Sequence, residues 1–172
     1  MKIIAHRGAS QYAQENSFDA FHIALTHPIA GIEFDVHFIN GQAIVIHDES
    51  MVRTHNIGLS LSDLQQRGLI NSDTVLSSFN HRLLDDYQKA GLNTQYGGLI
   101  AHLPKDLAQY AVAGGFDIVA IDKDMVTPEL VADAHRLDKQ VWVYTVNDIE
   151  VAQRLANWKV DAIFSNDTLI MR

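Results

Sequence analysis

The chain has 172 residues, 47% of them hydrophobic and 20% charged, with a formal net charge of −8 and no cysteine. That length suits one domain, residues 1–172, with a sizeable core, and leaves little room for two. The composition excludes disulfides, and no basic cluster offsets the negative charge to hold a nucleic-acid partner.

Strands and helices alternate along the chain. Ile3-Ile4-Ala5 is a buried-type strand that ends in His6-Arg7-Gly8. Phe18, Phe21, Ala24 and Leu25 recur at helical spacing after Asn16-Ser17, which predicts a capped helix to about Thr26. A second strand, Gly31 to Val36, contains Glu33 and Asp35. Asn40-Gly41 then joins two apolar runs, a strong hairpin signal that would carry this strand outward and fold it back towards His47. A short helix is expected over Leu61–Arg67, a loop over Arg67–Asp73 and a strand around Ser77-Ser78-Phe79. A helix from His81 closes at Gly91. Thr94–Ile100 is a weaker strand because of Gly97-Gly98, and Pro104–Ala113 is a helix. Ile118–Ile121 is a buried strand ending at Asp122, and Thr127-Pro128 opens another helix. Val141–Val146 is a strand, Asn147 to Glu150 has capping-box spacing, and Val160–Phe164 closes the series. Seven parallel strands with right-handed crossovers follow, plus a hairpin excursion.

The ionisable residues sit where these strands leave the core. His6 and His47 offer an acid and a base, and Arg7 a cationic clamp for an anion. Glu33 and Asp35, two apart on a strand, project to one face and can grip one hard cation. Together these are what phosphoester cleavage needs.

The order His6-Arg7-Gly8, Glu15-Asn16-Ser17, Glu33-Phe34-Asp35-Val36, hairpin, His47-Asp48 and Arg53-Thr54 resembles the glycerophosphodiester phosphodiesterase family. Ser77-Ser78-Phe79-Asn80, Trp142 to Asn147 and Asp161 to Asp167 look like its later strand ends. The resemblance implies a TIM-type (β/α) barrel that cleaves a small-molecule glycerophosphodiester to glycerol phosphate and an alcohol, in glycerophospholipid metabolism. His6 and His47 would be the acid/base pair, Arg7 the phosphate holder, Glu33 and Asp35 the ligands of Mg2+ or Ca2+. Glu15 would support the site and Trp142 would wall the substrate pocket, with barrel packing as the alternative for Trp142.

One departure stands out. The family's third metal carboxylate lies on a strand reading Glu-x-Lys, yet none of the glutamates here (positions 15, 33, 49, 129 and 150) is followed two residues later by lysine. The length agrees, since a complete barrel takes about 250 residues. The expectation is therefore a reduced barrel of about seven strands, closed by pairing the second strand with the Ser77 strand or covered by a homodimer. Asp122 or Lys123 could replace the lost ligand or cation, the alternative being a solvated strand-end loop. A catalytically impaired relative that binds glycerophosphodiesters or other phosphorylated ligands without turnover is the competing function. No run reaches the roughly 18 apolar residues of a membrane span. Lys2 and His6 also interrupt any leader-like start. A cytoplasmic protein without stable membrane insertion is expected.

Overall fold

The computed structural model describes residues 1–39, 42–45, 55–56, 66–68 and 71–172. Seven parallel strands form one sheet in the order β2-β1-β10-β9-β8-β7-β6. They are β1 (Lys2–His6), β2 (Gly31–Glu33), β6 (Val75–Ser78), β7 (Gln95–Ile100), β8 (Ile118–Asp122), β9 (Gln140–Tyr144) and β10 (Ala162–Ser165). Among the described residues the helices that connect them are α1 (Phe18–Leu25), α2 (His81–Lys89), α3 (Leu107–Ala113), α4 (Pro128–His135) and α5 (Ile149–Asn157). This is an incomplete TIM-type (β/α) barrel. The first strand lies beside the last, with Ile4 in register with Phe164.

Strand parity divides the side chains. Val119, Ile121, Val141, Val143 and Ile163 pack against Leu84, Leu107, Val131, Ala134 and Leu155 of the helices. Ala5 does the same beneath α1, with Ala9 and Ala24. The opposite face carries a smaller cluster of Ile4, Ala120, Ala162 and Phe164, flanked by Leu99, Trp142 and Tyr144. Helices cover one face, so polar residues at the carboxyl ends of the strands can open towards a ligand on the other.

Several local expectations change. Among the described residues β2 and β6 remain separate edges, so direct pairing of those two strands in a smaller barrel is overturned. The hairpin does not prolong β2, which stops at Glu33. Instead β3 (Val36–Ile39) pairs with β4 (Gln42–Val45) and β4 with β5 (His55–Asn56) in a sheet of their own. Ile39 is in register with Gln42. Asn40 and Gly41 themselves lie outside the described residues, as does most of the helix expected over Leu61–Arg67. The described part of Arg67–Asp73 contributes no strand to the sheet.

Helix α3 starts at Leu107 rather than Pro104, because Asp106 caps it by accepting the Gln109 N–H at 2.9 Å. Asp148, not Asn147, caps α5, accepting the N–H groups of Glu150 and Val151. Asn147 instead bonds to the end of β10.

Gly97-Gly98 turns out to be regular strand. A Cβ at Gly98 would lie 2.7 Å from Cδ2 of Phe116, whose ring is 2% exposed. The glycine thus leaves room for a core aromatic rather than breaking the strand. Gly98→Ala should destabilise the fold by about 1–3 kcal/mol, the usual scale of overpacking. Chemical denaturation measures this, and Phe116→Leu in the same chain should recover part of the loss.

Candidate active site

His6 lies two residues beyond Ile4 and on the same face, at the carboxyl end of β1. Glu33 is its register partner on β2. The chain then bends sharply, with Arg7 at φ 57° and Gly8 at φ 82°. Gly8 is required twice over, by that conformation and because a Cβ there would meet the Ala20 backbone at 2.8 Å. The bend is held by the Arg7 N–H donating to Glu33 Oε2 at 3.0 Å and the Asn16 N–H donating to Arg7 O at 2.9 Å.

The bend directs the Arg7 side chain into a group of carboxylates. Its Nη1 donates to Glu15 Oε2 at 2.9 Å. Its buried Nε lies 3.1 Å from Asp35 Oδ2 without hydrogen-bond alignment. Asn16, 5% exposed and itself at φ 55°, clamps Asp35 from the other side. Its Nδ2 donates to Asp35 Oδ2 at 3.0 Å, and its Oδ1 accepts the Asp35 N–H at 3.3 Å. Arg7 therefore touches Glu15, Glu33 and Asp35 together. Glu15 and Asp35 meet the guanidinium and Glu33 the backbone N–H of the same residue, so one cationic side chain stands among three acidic ones.

His6 Nδ1 bonds Asn166 Oδ1 at 2.8 Å. Burial pushes the imidazole below its ordinary value of 6.5, and the Arg7 charge adds to that push. The Asn166 bond and the charges of Asp35 and Glu15 oppose it. The net direction favours a neutral ring.

His47 and Asp48 lie outside the described residues. The register Val36↔Val45 brings the returning strand, two residues short of His47, alongside the residue that follows Asp35.

The later candidates sit elsewhere. Asp122 ends β8 and accepts the Asp124 N–H at 2.8 Å, while Lys123 pairs with Asp124 at 3.3 Å, so both are engaged in their own strand-end turn. Trp142 packs with Phe164, and its indole N–H donates to Gln140 at the start of β9. The indole N–H thus turns towards the start of β9, and the ring belongs to the cluster on the face away from the helices.

Among the described residues no three His, Asp or Glu side chains gather as a ready ligand cage. Magnesium, however, usually takes one or two protein carboxylates and completes its shell with water and substrate phosphate. Glu33 and Asp35 match that share.

The family model for the glycerophosphoryl diester phosphodiesterase family matches this chain in two segments, residues 6–69 and 57–170. The chain belongs to the glycerophosphoryl diester phosphodiesterase family. The two segments overlap at residues 57–69, before β6. A glycerophosphodiester phosphodiesterase of Caldanaerobacter subterraneus is 46% identical over 55 residues, 31% of this chain and 23% of that protein. The matched part spans only about a quarter of the length of such curated relatives. The crystal structure of a family protein from Silicibacter pomeroyi superposes with a TM-score of 0.86 at 20% identity, over 99% of this chain and 91% of that one. A phosphodiesterase of Oleispira antarctica, solved with the product sn-glycerol-3-phosphate, gives 0.79 at 20% identity, over 96% and 93%. These likenesses carry the fold.

Two site residues lay outside the sequence reading. Asn16 stands in the Glu15-Asn16-Ser17 motif and beside a helix cap, with no role of its own at the site; the capping falls to Ser17, which accepts the Ala20 N–H. Asn166 carried no assigned role, although a polar residue just beyond the apolar run Ala162-Ile163-Phe164 is the available signal. Asn16→Ala should cost about 1–3 kcal/mol, since it removes the Asp35 clamp and leaves a positive φ on a residue with a Cβ. Asn16→Gly should recover the backbone share alone. Urea denaturation of both variants separates the two contributions.

Proposed function

We propose that this chain hydrolyses glycerophosphodiesters, releasing glycerol phosphate and an alcohol. The carrying observation is the convergence of Glu15, Glu33 and Asp35 on Arg7, one residue after His6, at the carboxyl ends of neighbouring parallel strands. Family membership supports the same chemistry, and so does the product held by the Oleispira antarctica neighbour.

A bound diester is an anion. Arg7 holds its non-bridging oxygens, and in doing so exchanges part of its present carboxylate contacts for phosphate. Glu33 and Asp35 would hold a divalent cation, Mg2+ or Ca2+, whose charge neutralises the phosphoryl oxygens during in-line displacement. His6 and His47 form the acid/base pair. One takes the proton of the nucleophile, water or the neighbouring glycerol hydroxyl, and the other protonates the departing alkoxide.

The test is release of choline or glycerol phosphate from glycerophosphocholine, with Mg2+, with Ca2+ and with EDTA. Release that EDTA abolishes and Mg2+ restores is expected. A second reading rests on Arg7 being tied to both Glu15 and Asp35, with no third carboxylate strand among the described residues. It is a protein that binds such esters without turnover. A well-folded chain that binds glycerophosphocholine and releases nothing under any of these conditions would establish that reading.

A further inference from the structure

We infer that Asn166 is the positioning residue for His6, its amide oxygen holding the ring as the Nδ1–H tautomer so that Nε2 is the proton acceptor. The inference rests on the proposed hydrolase reading for its chemical meaning, and on geometry for its substance.

The bond runs from Nδ1 of His6 to Oδ1 of Asn166 at 2.8 Å, between the ends of adjacent strands β1 and β10. A neutral imidazole carries one proton. A carbonyl oxygen facing Nδ1 places that proton there and leaves the lone pair on Nε2. Nδ1 is then occupied behind the ring, and any proton taken from a nucleophile arrives at Nε2.

The acceptor is itself held on several sides. The Asn166 N–H donates to Asn147 Oδ1 at 2.8 Å, and the Asn166 carbonyl accepts the Gln11 N–H at 3.1 Å. Next to it, Ser165 is fully buried and its hydroxyl lies 3.3 Å from the same Asn147 oxygen. On the far side, Tyr12 donates its hydroxyl to Asp167 at 2.7 Å. Asn147, freed from capping α5, thus supports the residue that orients His6. An amide suits the post better than a carboxylate would. It selects the tautomer without adding a charge beside Glu15, Glu33 and Asp35.

The assignment makes His6 the base of the first step. Nε2 takes the nucleophile's O–H proton, and the freed oxygen pair forms the new P–O bond. The ester P–O bond breaks, its electron pair leaves with the alkoxide, and the second acid of the site protonates that alkoxide.

Two-bond 15N–1H correlation spectra of the labelled full chain, at a pH where the ring is neutral, read the tautomer directly. A His6→Gln spectrum assigns the signal. The parent and Asn166→Asp should show His6 protonated at Nδ1, while Asn166→Leu should lose that preference. In the release assay Asn166→Leu should lower kcat on the order of 10- to 100-fold with KM little changed, and Asn166→Asp should restore part of it. A parent ring protonated at Nε2 overturns the inference, even if Asn166→Leu does not fold. An unchanged tautomer in folded Asn166→Leu overturns it as well. A parent without turnover sinks the hydrolase reading, and the spectra still decide this one.

Discussion

Replacing His6 with alanine should lower turnover by a factor on the order of 10² or more, the scale of a positioned acid/base group, without unfolding the chain. The ring is at the end of β1 rather than inside the helix-packed core, so its loss removes chemistry before stability. His47→Ala should give a loss of the same order if the two act as a pair. The pH profile carries a sign. Burial lowers the His6 pKa from 6.5. A base of this kind stays unprotonated further into acid, so the acid limb of kcat/KM should fall below 6.5. For stability, the unfolded chain binds the extra proton first as the pH drops from 6.5. The contribution of His6 is therefore complete above 6.5 and lost as pH falls through the folded value. Circular dichroism of parent and His6→Gln across that window checks the second statement. A limb above 6.5 that persists in His6→Gln would show that another group sets the profile.

Glu33→Gln should raise the divalent-cation concentration needed for half-maximal activity by at least about tenfold, with a smaller effect on the metal-saturated rate. The amide keeps an acceptor for the Arg7 N–H, which Glu33 Oε2 now accepts at 3.0 Å, so the bend at Arg7 survives while one charged ligand is lost. Calorimetric titration with Mg2+ gives the same answer without turnover. An unchanged midpoint in both measurements would remove Glu33 from the metal side of the site. The same substitution also relieves part of the negative charge around Arg7, so substrate KM should fall or hold rather than rise.

The sequence made the alternation of strands and helices legible because each strand is a short apolar run with a turn residue at its end. Ile118–Asp122 and Phe18–Leu25 lie within a residue of where hydrophobic spacing puts them. What escaped depended on distant partners. Gly97-Gly98 reads as a weakness until Phe116 occupies the space above it. Asn147 reads as a cap because the rule is local, and nothing local shows that Asn166 and Ser165 lie within reach of its side chain. At the site, Glu33 and Asp35 were evident from their spacing. The Asn16 clamp on Asp35 and the Asn166 bond to His6 were not, for each joins two strand-end loops that only the folded sheet brings together. The strand count implies open edges at β2 and β6, but whether they meet is not legible in the sequence, because closure depends on the whole sheet's geometry.

The neighbouring of β1 and β10 fixes an order of events during synthesis. His6 precedes by about 160 positions its amide anchor and the β10 partners of its strand. Pairings with so large a sequence separation carry the full entropy of closing the intervening chain, and they form late. Until Ala162–Ser165 emerges, β1 has only the short strand β2 beside it in the sheet. The consecutive run β6-β7-β8-β9 pairs each strand with its nearest successor and can assemble while translation continues. A purified chain truncated after position 158 should therefore protect Ile118–Asp122 from proteolysis while leaving His6 and Arg7 open to cleavage, and extending it through Ala162–Ser165 should protect both.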